Sequence, residues 1–317
     1  MDDICVIIPA YNAAATLQRA VDSVLGQTRL PERVVIVDDG STDGTAALAD
    51  KMAAGNDLIK VVHKPNQGLA EARRTGIGHS TQQWIVHLDS DDALVPDALE
   101  WLLGVALKNN LDIAYGSANR IFPNGKSRPQ NHPVEGVMTG TEFALANITL
   151  NYNYASWGCI SRRHLWTDDV FPAADRLIPS EDTLMNVRLG LNAARVGCWN
   201  RPVVNYHYLP TSLTATGALH GMERWKDYFA QLMQTLEQRG MTDTCRDRIA
   251  ILKVDRIAFY VRPKSLTLTD PWARAAVADD IPTATTKTRV LQWLLHFPPL
   301  CYLCVTLNRT VKSLFDR

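Results

Sequence analysis

Three carboxylates within four positions are the residues of this sequence whose chemistry is easiest to state. Asp89, Asp91 and Asp92 follow directly after the run 84–88, which is apolar except for one His. Carboxylates this close repel one another unless a cation lies between them, and Mg²⁺ or Mn²⁺ prefers oxygen ligands that bridge to substrate phosphates. A solvated acidic turn ahead of a helix near Pro96 would need no cation. The surrounding sequence has to decide between the two interpretations.

Three similar patterns precede the acidic turn. The apolar runs 4–8, 33–37 and 59–63 are each short enough for a buried strand, and each ends in a polar loop. Helical spacing of apolar residues follows the loops, as in 13–27 and 45–54. Strand, loop and helix in repetition predict a largely parallel sheet with helices on both faces. The four loops would then meet at the carboxyl edge of the sheet, where open α/β proteins bind ligands.

The loops carry four motifs in a fixed order. They are Val-Ile-Ile-Pro-Ala-Tyr-Asn at 6–12, Val-Asp-Asp-Gly-Ser-Thr-Asp-Gly-Thr at 37–45, Asn-Gln-Gly at 66–68 with Ala72-Arg73, and Leu-Asp-Ser-Asp-Asp at 88–92. Together they resemble the inverting GT-A nucleotide-sugar glycosyltransferases of family 2, of the bacterial cell-surface polysaccharide type, over residues 3–215. The resemblance implies a Rossmann-like α/β fold, with a mixed, mostly parallel sheet flanked by helices and a helical C-terminal extension.

The resemblance also implies where a UDP-sugar donor would bind. The uracil would lie near Pro9 and Tyr11, Asp39 would accept its imide N–H, and Asp38 would hold the loop in shape. Arg73 would contact the diphosphate, because its planar guanidinium suits phosphate. Asp89 would reach the ribose. The remaining donor-binding residues expected from the motifs are Asn66, Gly68 and Ser90.

The Asp-x-Asp motif is the expected site of one Mn²⁺ or Mg²⁺. Asp91 would face the ion, with Asp89 as a second ligand, while Asp92 would only cap the following turn. His207 lies where some family members carry a metal-binding His and others carry Arg, so its role as a ligand is left open.

Glu181 and Asp182 precede a helix predicted over 183–191. Acids on a first helical turn are ordinary, because the helix dipole favours them there. The resemblance assigns Asp182 as the general base that deprotonates the acceptor hydroxyl, with Glu181 orienting the acceptor or the donor sugar. Trp157 is a candidate wall for a sugar ring, although a Trp in a strand is more often part of a core.

Composition restricts the class of partner. The chain of 317 residues has 33 Lys plus Arg and 33 Asp plus Glu, so it offers no overall field that would attract nucleic acid. Six scattered cysteines favour reduced thiols in a cytoplasmic protein and not a disulfide framework. Met1-Asp2-Asp3 is acidic where a signal peptide is basic. The inner face of the cell membrane is a further possible location.

The predicted domains are a catalytic domain, 1–216, and a helical C-terminal region, 217–317. The first divides into a nucleotide-sugar half, 1–118, and an acceptor half, 119–216. The C-terminal segment 291–305 is apolar, is broken by Pro-Pro and has basic flanks, which suits a helix in the lipid headgroup layer. Packing against the domain and an oligomer interface are the open alternatives for 287–317. Further predicted elements are strands at 111–118, 155–160 and 196–206, an irregular excursion at 119–136, and helices at 141–148, 222–238 and 245–261.

The expected activity is metal-dependent, inverting transfer of a hexosyl or N-acetylhexosaminyl group to a hydroxyl of a saccharide or lipid-linked saccharide. One alternative is a nucleotidyltransferase that makes nucleotide sugars. It would need a Gly- and Arg-rich loop to bind a triphosphate, and residues 9–16 contain neither residue type. The other alternative is a non-catalytic nucleotide-sugar-binding module, which the presence of all the acids makes less attractive. The sugar, the acceptor and the oligomeric state stay open.

Overall fold

The computed structural model describes residues 2–131, 135–148, 155–173, 179–208, 222–260 and 270–315. The chain forms two compact units. One comprises Met1–Asn147 and Asn151–Leu219, and the other comprises Ile148–Leu150 and His220–Arg317. The domain boundary predicted between residues 216 and 217 falls outside the described residues.

The first unit is built on one sheet of ten strands, and the α/β prediction is confirmed. Four parallel strands at one side run in the order β3-β2-β1-β4, and β9 then runs antiparallel between β4 and β6. β10 is parallel to β6, and it pairs antiparallel with β5 and β8. The strands are β1 Ile4–Ala10, β2 Arg33–Asp38, β3 Ile59–His63, β4 Trp84–His87, β5 Ala93–Leu94, β6 Ile113–Ile121, β7 Ser127–Gln130, β8 Gly136–Thr139, β9 Cys159–Arg162 and β10 Arg195–His207.

Helices cover both faces of this sheet. Alternate residues of β1 enter different cores, since Val6 and Ile8 pack in one apolar cluster and Cys5 and Ile7 in the other. Strands buried on both faces explain the continuous apolar runs of the sequence. The helices are α1 Leu17–Leu25, α2 Thr45–Ala54, α3 Leu69–Gly78, α4 Ala98–Lys108, α5 Gly140–Ile148 and α6 Glu181–Asn192, with short 3₁₀ turns at Arg163–Leu165 and Asp168–Val170.

The excursion predicted at 119–136 contains the end of β6 and the strand β7, which is a difference from the sequence-based expectation. β7 folds back on the end of β6, with Ala118 opposite Gln130 and Ile121 opposite Ser127. The residues of β7 are almost all exposed and polar, so no alternation of apolar side chains announces an edge strand. The two-residue strand β5, directly after the acidic turn, was likewise not predicted.

The second unit is helical, as predicted. Its apolar core includes Val254, Ile257, Ala273 and Leu295. A helix over 271–278 was missed, although Asp270 accepts the backbone N–H groups of the first turn and Pro follows it, a common start signal. Within the described residues, no helix has both the length and the apolar character required to cross a membrane. The helices are α7 Met222–Gln238, α8 Thr242–Tyr260, α9 Pro271–Ala278, α10 Thr286–Leu295 and α11 Pro298–Phe315.

Candidate active site

The acidic turn after β4 gathers three carboxylates at the carboxyl edge of the sheet. Among the described residues, Asp89, Asp91 and Asp92 can each place one oxygen within 4.8 Å of the others. Asp92 is fully buried, and its Oδ2 has no hydrogen-bond partner. Burial, together with the charges of Asp89 and Asp91, raises the pKa of Asp92 to about 9. Clustered hard oxygen donors with one unpartnered buried oxygen fit a divalent cation such as Mg²⁺ or Mn²⁺.

His207 reaches the acidic turn through its main chain. Its backbone N–H donates to Oδ1 of Asp92 at 2.8 Å, which ties the end of β10 to the turn. The ring is half-buried, its Nδ1 has no hydrogen-bond partner, and burial followed by the charge of Arg19 lowers its pKa. The group of close metal-ligand atoms contains Asp92 and not His207. The role of His207 as a ligand therefore stays a prediction.

Arg73 links the acidic turn to the first turn of α6. Its side chain is fully buried, Nη1 donates to Oδ1 of Asp182 at 2.6 Å, and Nη2 donates to Oδ1 of Asp89 at 2.8 Å. Burial alone would lower the pKa of Arg73, but the charges of Asp182, Asp89 and Glu181 raise it further above its ordinary value. One guanidinium thus holds the predicted ribose ligand and the predicted general base in one ionic network.

Two neighbouring carboxyl groups at the start of α6 differ in environment. Asp182 is 29% exposed, and its Oδ1 accepts a second hydrogen bond, at 2.8 Å, from the hydroxyl of Ser156. Burial, followed by the charge of Asp182, raises the pKa of Glu181 to about 7. Ser180, just before them, has a left-handed backbone with φ of 55°. Burial thus moves the pKa of Glu181 towards the neutral range, and two donors fix the orientation of Asp182.

Two glycines allow α3 to carry Arg73 into this position. Gly68 precedes the helix with φ of 91° and ψ of 169°, a conformation that other residues rarely adopt. At Gly76, an added Cβ would lie 2.4 Å from Cγ2 of Ile7, so the helix lies directly on β1. A larger residue at position 76 would push the helix away from the sheet and would move Arg73 with it.

The turn after β2 is held together by its two Asp side chains. Asp39 is 3% exposed and accepts from Nζ of Lys64 at 2.7 Å and from the backbone N–H groups of Gln67 at 3.0 Å and Gly68 at 2.8 Å. Asp38 is also buried. Although burial would raise the pKa of Asp38, hydrogen bonds from Ser41 and His63 lower it. Asp39 thus fixes the loop that leads into α3.

The other predicted donor-binding residues lie around the same edge. Pro9 is buried near the end of β1, and Tyr11, which follows the strand, is 52% exposed. Asn66 is exposed and Ser90 is half-buried. Because about half of Tyr11 is exposed, ring area is available at this edge where a flat base could stack.

The sequence interpretation missed three residues that contact this site. Ser156 donates to Asp182, Lys64 pairs with Asp39, and the guanidinium of Arg19 donates to the carbonyl of Asp91. Lys64 directly follows β3 at the same sheet edge, so its position could have been recognised. Trp157 stacks on Tyr206 with ring centroids 5.6 Å apart, and both rings are partly exposed.

Comparisons with known proteins agree with this architecture. The sequence model described as "Glycosyl transferase family 2" matches residues 5–171. Chondroitin synthase of Pasteurella multocida is 39% identical over 123 residues, which is 38% of this chain and 13% of that protein. The uncharacterized glycosyltransferase YibD of Escherichia coli is 26% identical over 215 residues, 66% of this chain and 62% of that protein. The chain thus spans less than two thirds of these relatives.

Solved structures show the same fold. The crystal structure of S. aureus TarS has a TM-score of 0.66 and 18% identity, covering 96% of this chain and 54% of that one. A second structure, TarS 1–349 in complex with UDP-GlcNAc, has a TM-score of 0.56 and 19% identity, covering 93% of this chain and 91% of that one. The mixed sheet with its flanking helices is therefore the GT-A fold.

Proposed function

The chain belongs to glycosyl transferase family 2, and we propose that this glycosyltransferase moves a sugar from a UDP-sugar to a hydroxyl of a saccharide acceptor with inversion at the anomeric carbon. The observation that carries the proposal is the network of Arg73. It sets a partly exposed carboxylate, Asp182, beside a group of metal-binding carboxylates. A single displacement requires a base for the acceptor hydroxyl and, close to it, a site that stabilises the charge on the departing diphosphate.

In the proposed reaction, Asp182 accepts the proton of the acceptor hydroxyl while that oxygen attacks the anomeric carbon. The bond from this carbon to the diphosphate oxygen breaks, and UDP leaves with the bonding electrons. Because attack and departure occur on opposite faces, one step inverts the configuration. Ser156 and Arg73 keep the Asp182 carboxylate oriented during the step. Glu181, whose pKa is raised to about 7, can donate a hydrogen bond to a sugar hydroxyl.

We assign the metal to Asp91 and Asp89, with Asp92 behind them and His207 as an open further ligand. A bound Mn²⁺ or Mg²⁺ would stabilise negative charge on the diphosphate as a Lewis acid. The fit rests on the close spacing of the three carboxylates, whose oxygens can lie within 4.8 Å of one another.

The donor proposal uses the turns after β1, β2 and β3. Tyr11 would stack on the uracil beside Pro9, and Asp39 would accept its imide N–H in addition to its three present hydrogen bonds. Arg73 would add positive charge near the diphosphate, and Asp89 would reach the ribose. The TarS complex supports a UDP-sugar donor, because that protein of the same fold binds UDP-GlcNAc.

The acceptor proposal uses the other half of the sheet. Trp157, the residue after Ser156, stacks on Tyr206, and the pair offers apolar ring area for a sugar. Relatives with the names chondroitin synthase and hyaluronan synthase support a saccharide acceptor in polysaccharide synthesis. A lipid-linked saccharide at the inner face of the cell membrane is the form that we favour, because the C-terminal segment 291–305 is apolar and has basic flanks within 287–317.

The first test measures release of UDP from a panel of UDP-sugars in the presence of Mn²⁺. We expect release from at least one hexose or N-acetylhexosamine donor. Chelation of the metal should slow release by about a hundredfold, because the charge on the departing diphosphate loses its main stabilisation. Re-addition of Mn²⁺ should restore the rate. If no donor yields UDP although UDP itself binds, the chain is a nucleotide-sugar-binding module and the catalytic proposal is wrong.

A second prediction separates the carboxylates of the acidic turn. Asp91→Asn should lower the rate of transfer by about a hundredfold, since it removes a charged ligand of the ion. Asp92→Asn should be milder, because an amide has the shape of the protonated carboxyl and can still accept the N–H of His207. Rates measured at saturating Mn²⁺ give the comparison. Equal losses in both variants would show that Asp92 is itself a charged ligand.

A further inference from the structure

Most of the large apolar side chains that are exposed among the described residues lie on α10, on α11 and in the turn between them. Among the described residues, eleven large apolar side chains are exposed, and seven of them lie within 290–307. They include Trp293 at 58%, Leu303 at 53% and Leu307 at 56% exposed. Single exposed apolar residues are common, but seven within eighteen positions form a patch of the kind that marks an interaction surface.

Six of the seven residues form two stripes. Val290 and Trp293 are three positions apart on α10, Phe297 lies in the turn that follows, and Leu300, Leu303 and Leu307 have helical spacing of three and four along α11. The seventh residue, Tyr302, is next to Leu303 and lies outside the stripes. The rings of Trp293 and Phe297 are in contact, with centroids 5.6 Å apart. We call these six residues in two stripes the apolar face.

The opposite side of the same helices already has its partner. Leu294, Leu295 and Cys301 are buried in the core of the second unit, together with residues of α8 and α9. The helices are thus apolar on two sides, and only one side is covered by this unit. A second, exposed apolar side on a surface helix is typical of an interaction surface.

The charges around the apolar face select the kind of partner. No Asp or Glu occurs between residues 281 and 315, whereas Lys287, Arg289, Arg309 and Lys312 stand before and after the apolar stretch. Lys287 and Arg289 are exposed. Lys287 pairs with Asp255 at 3.1 Å, and 71% of its side chain stays exposed. A second copy of the chain would still bring two basic stretches, 287–289 and 309–312, against each other. An anionic lipid surface instead supplies both the negative charge and the apolar layer beneath it.

We propose that the apolar face docks on an anionic lipid bilayer, with α10 and α11 lying in the headgroup layer and their stripes buried among the upper acyl chains. Lys287 and Arg289 then face the lipid phosphates. Trp293 lies where its ring can reach both the acyl chains and the headgroups, a preferred place for this residue. This docking does not depend on the identity of the sugar donor or on the assigned base.

The experiment is co-sedimentation of the full chain with vesicles. Phosphatidylcholine vesicles containing phosphatidylglycerol should bind the protein, and vesicles of phosphatidylcholine alone should bind it much more weakly. The double variant Trp293→Ser/Leu303→Ser should bind the anionic vesicles about tenfold or more weakly, because it removes apolar area from the layer. The matched control is Leu30→Ser/Leu107→Ser, which changes exposed apolar residues elsewhere, at 48% and 43% exposure, and should bind as the unchanged protein does.

A second pair of variants tests the contribution of basic side chains to vesicle binding. Arg289→Glu should weaken binding to anionic vesicles, while Lys108→Glu, an exposed basic residue on α4, should have little effect. Far-UV circular dichroism and the unfolding midpoint of each variant, measured without lipid, show whether the variant is folded. Undiminished vesicle binding by Trp293→Ser/Leu303→Ser overturns the proposal. The proposal is also overturned if the unchanged protein does not bind vesicles and instead forms a dimer in solution that this variant dissociates.

Discussion

Asp182→Asn is expected to abolish sugar transfer while UDP still binds. The amide can be held by Ser156 and Arg73 much as the carboxylate is, but it cannot take the proton of the acceptor hydroxyl. Loss of a positioned general base lowers a rate by roughly 10²- to 10⁴-fold, and we expect the upper part of that range. The measurements are the rate of transfer with a cognate donor and acceptor, and the affinity for UDP.

Asp168→Asn is the matched control for this change. Asp168 pairs with Arg74, the residue next to Arg73, but it lies on the surface with its side chain 87% exposed. Its variant should transfer sugar at the unchanged rate. Transfer by Asp182→Asn at a rate comparable to that of Asp168→Asn would remove Asp182 from the role of base, and Glu181 would become the candidate.

Arg73→Met is expected to cause the largest loss of stability of any single change at the site. Methionine fills similar space but leaves Asp89 and Asp182 facing each other without a cation, close to Glu181. Removing one partner of a buried ion pair costs about 3 kcal/mol. Chemical denaturation should show this loss in the free energy of unfolding. Transfer should be lost as well, because the base is no longer oriented.

Arg74→Met provides the control at the adjacent position. Its ion pairs with Glu71 and Asp168 lie on the surface, so the expected cost is below about 1 kcal/mol. The double variant Arg73→Met/Asp182→Asn tests the pairing itself. It should lose less stability than the two single variants added together, by about 1 kcal/mol, since one of the unbalanced charges has gone. Strict additivity would contradict the ion pair.

The sequence predicted the first half of the fold well because its strands are covered on both faces. Such strands are continuous apolar runs, and a run such as 33–37 is recognisable without any partner. The strand β7 could not be predicted in this way, because its pairing depends on β6 and not on a pattern of its own. The short strand β5 depends in the same way on β10.

The residues of the candidate site could likewise be predicted from the sequence only in part. Asp89, Asp91 and Asp182 could be named because motifs place them at strand and helix ends. That Arg73 joins two of them could not be foreseen, since the three residues are up to 109 positions apart in the chain. Ser156 gave no signal at all, because a small polar residue beside a strand is ordinary. Burial of Asp92 was missed for a physical reason, since a carboxyl group of that sequence context usually faces water.

Asp39 has an effect that extends beyond its own turn. By accepting the N–H groups of Gln67 and Gly68, it fixes the starting point of α3. Gly76 fixes the other end of that helix against β1, and Arg73 lies between the two. The turn after β2 and the acids around Arg73 are therefore linked through one helix. For protein engineering, this means that a substitution at Asp39 or Gly76 would also displace Arg73, which holds Asp89 and Asp182.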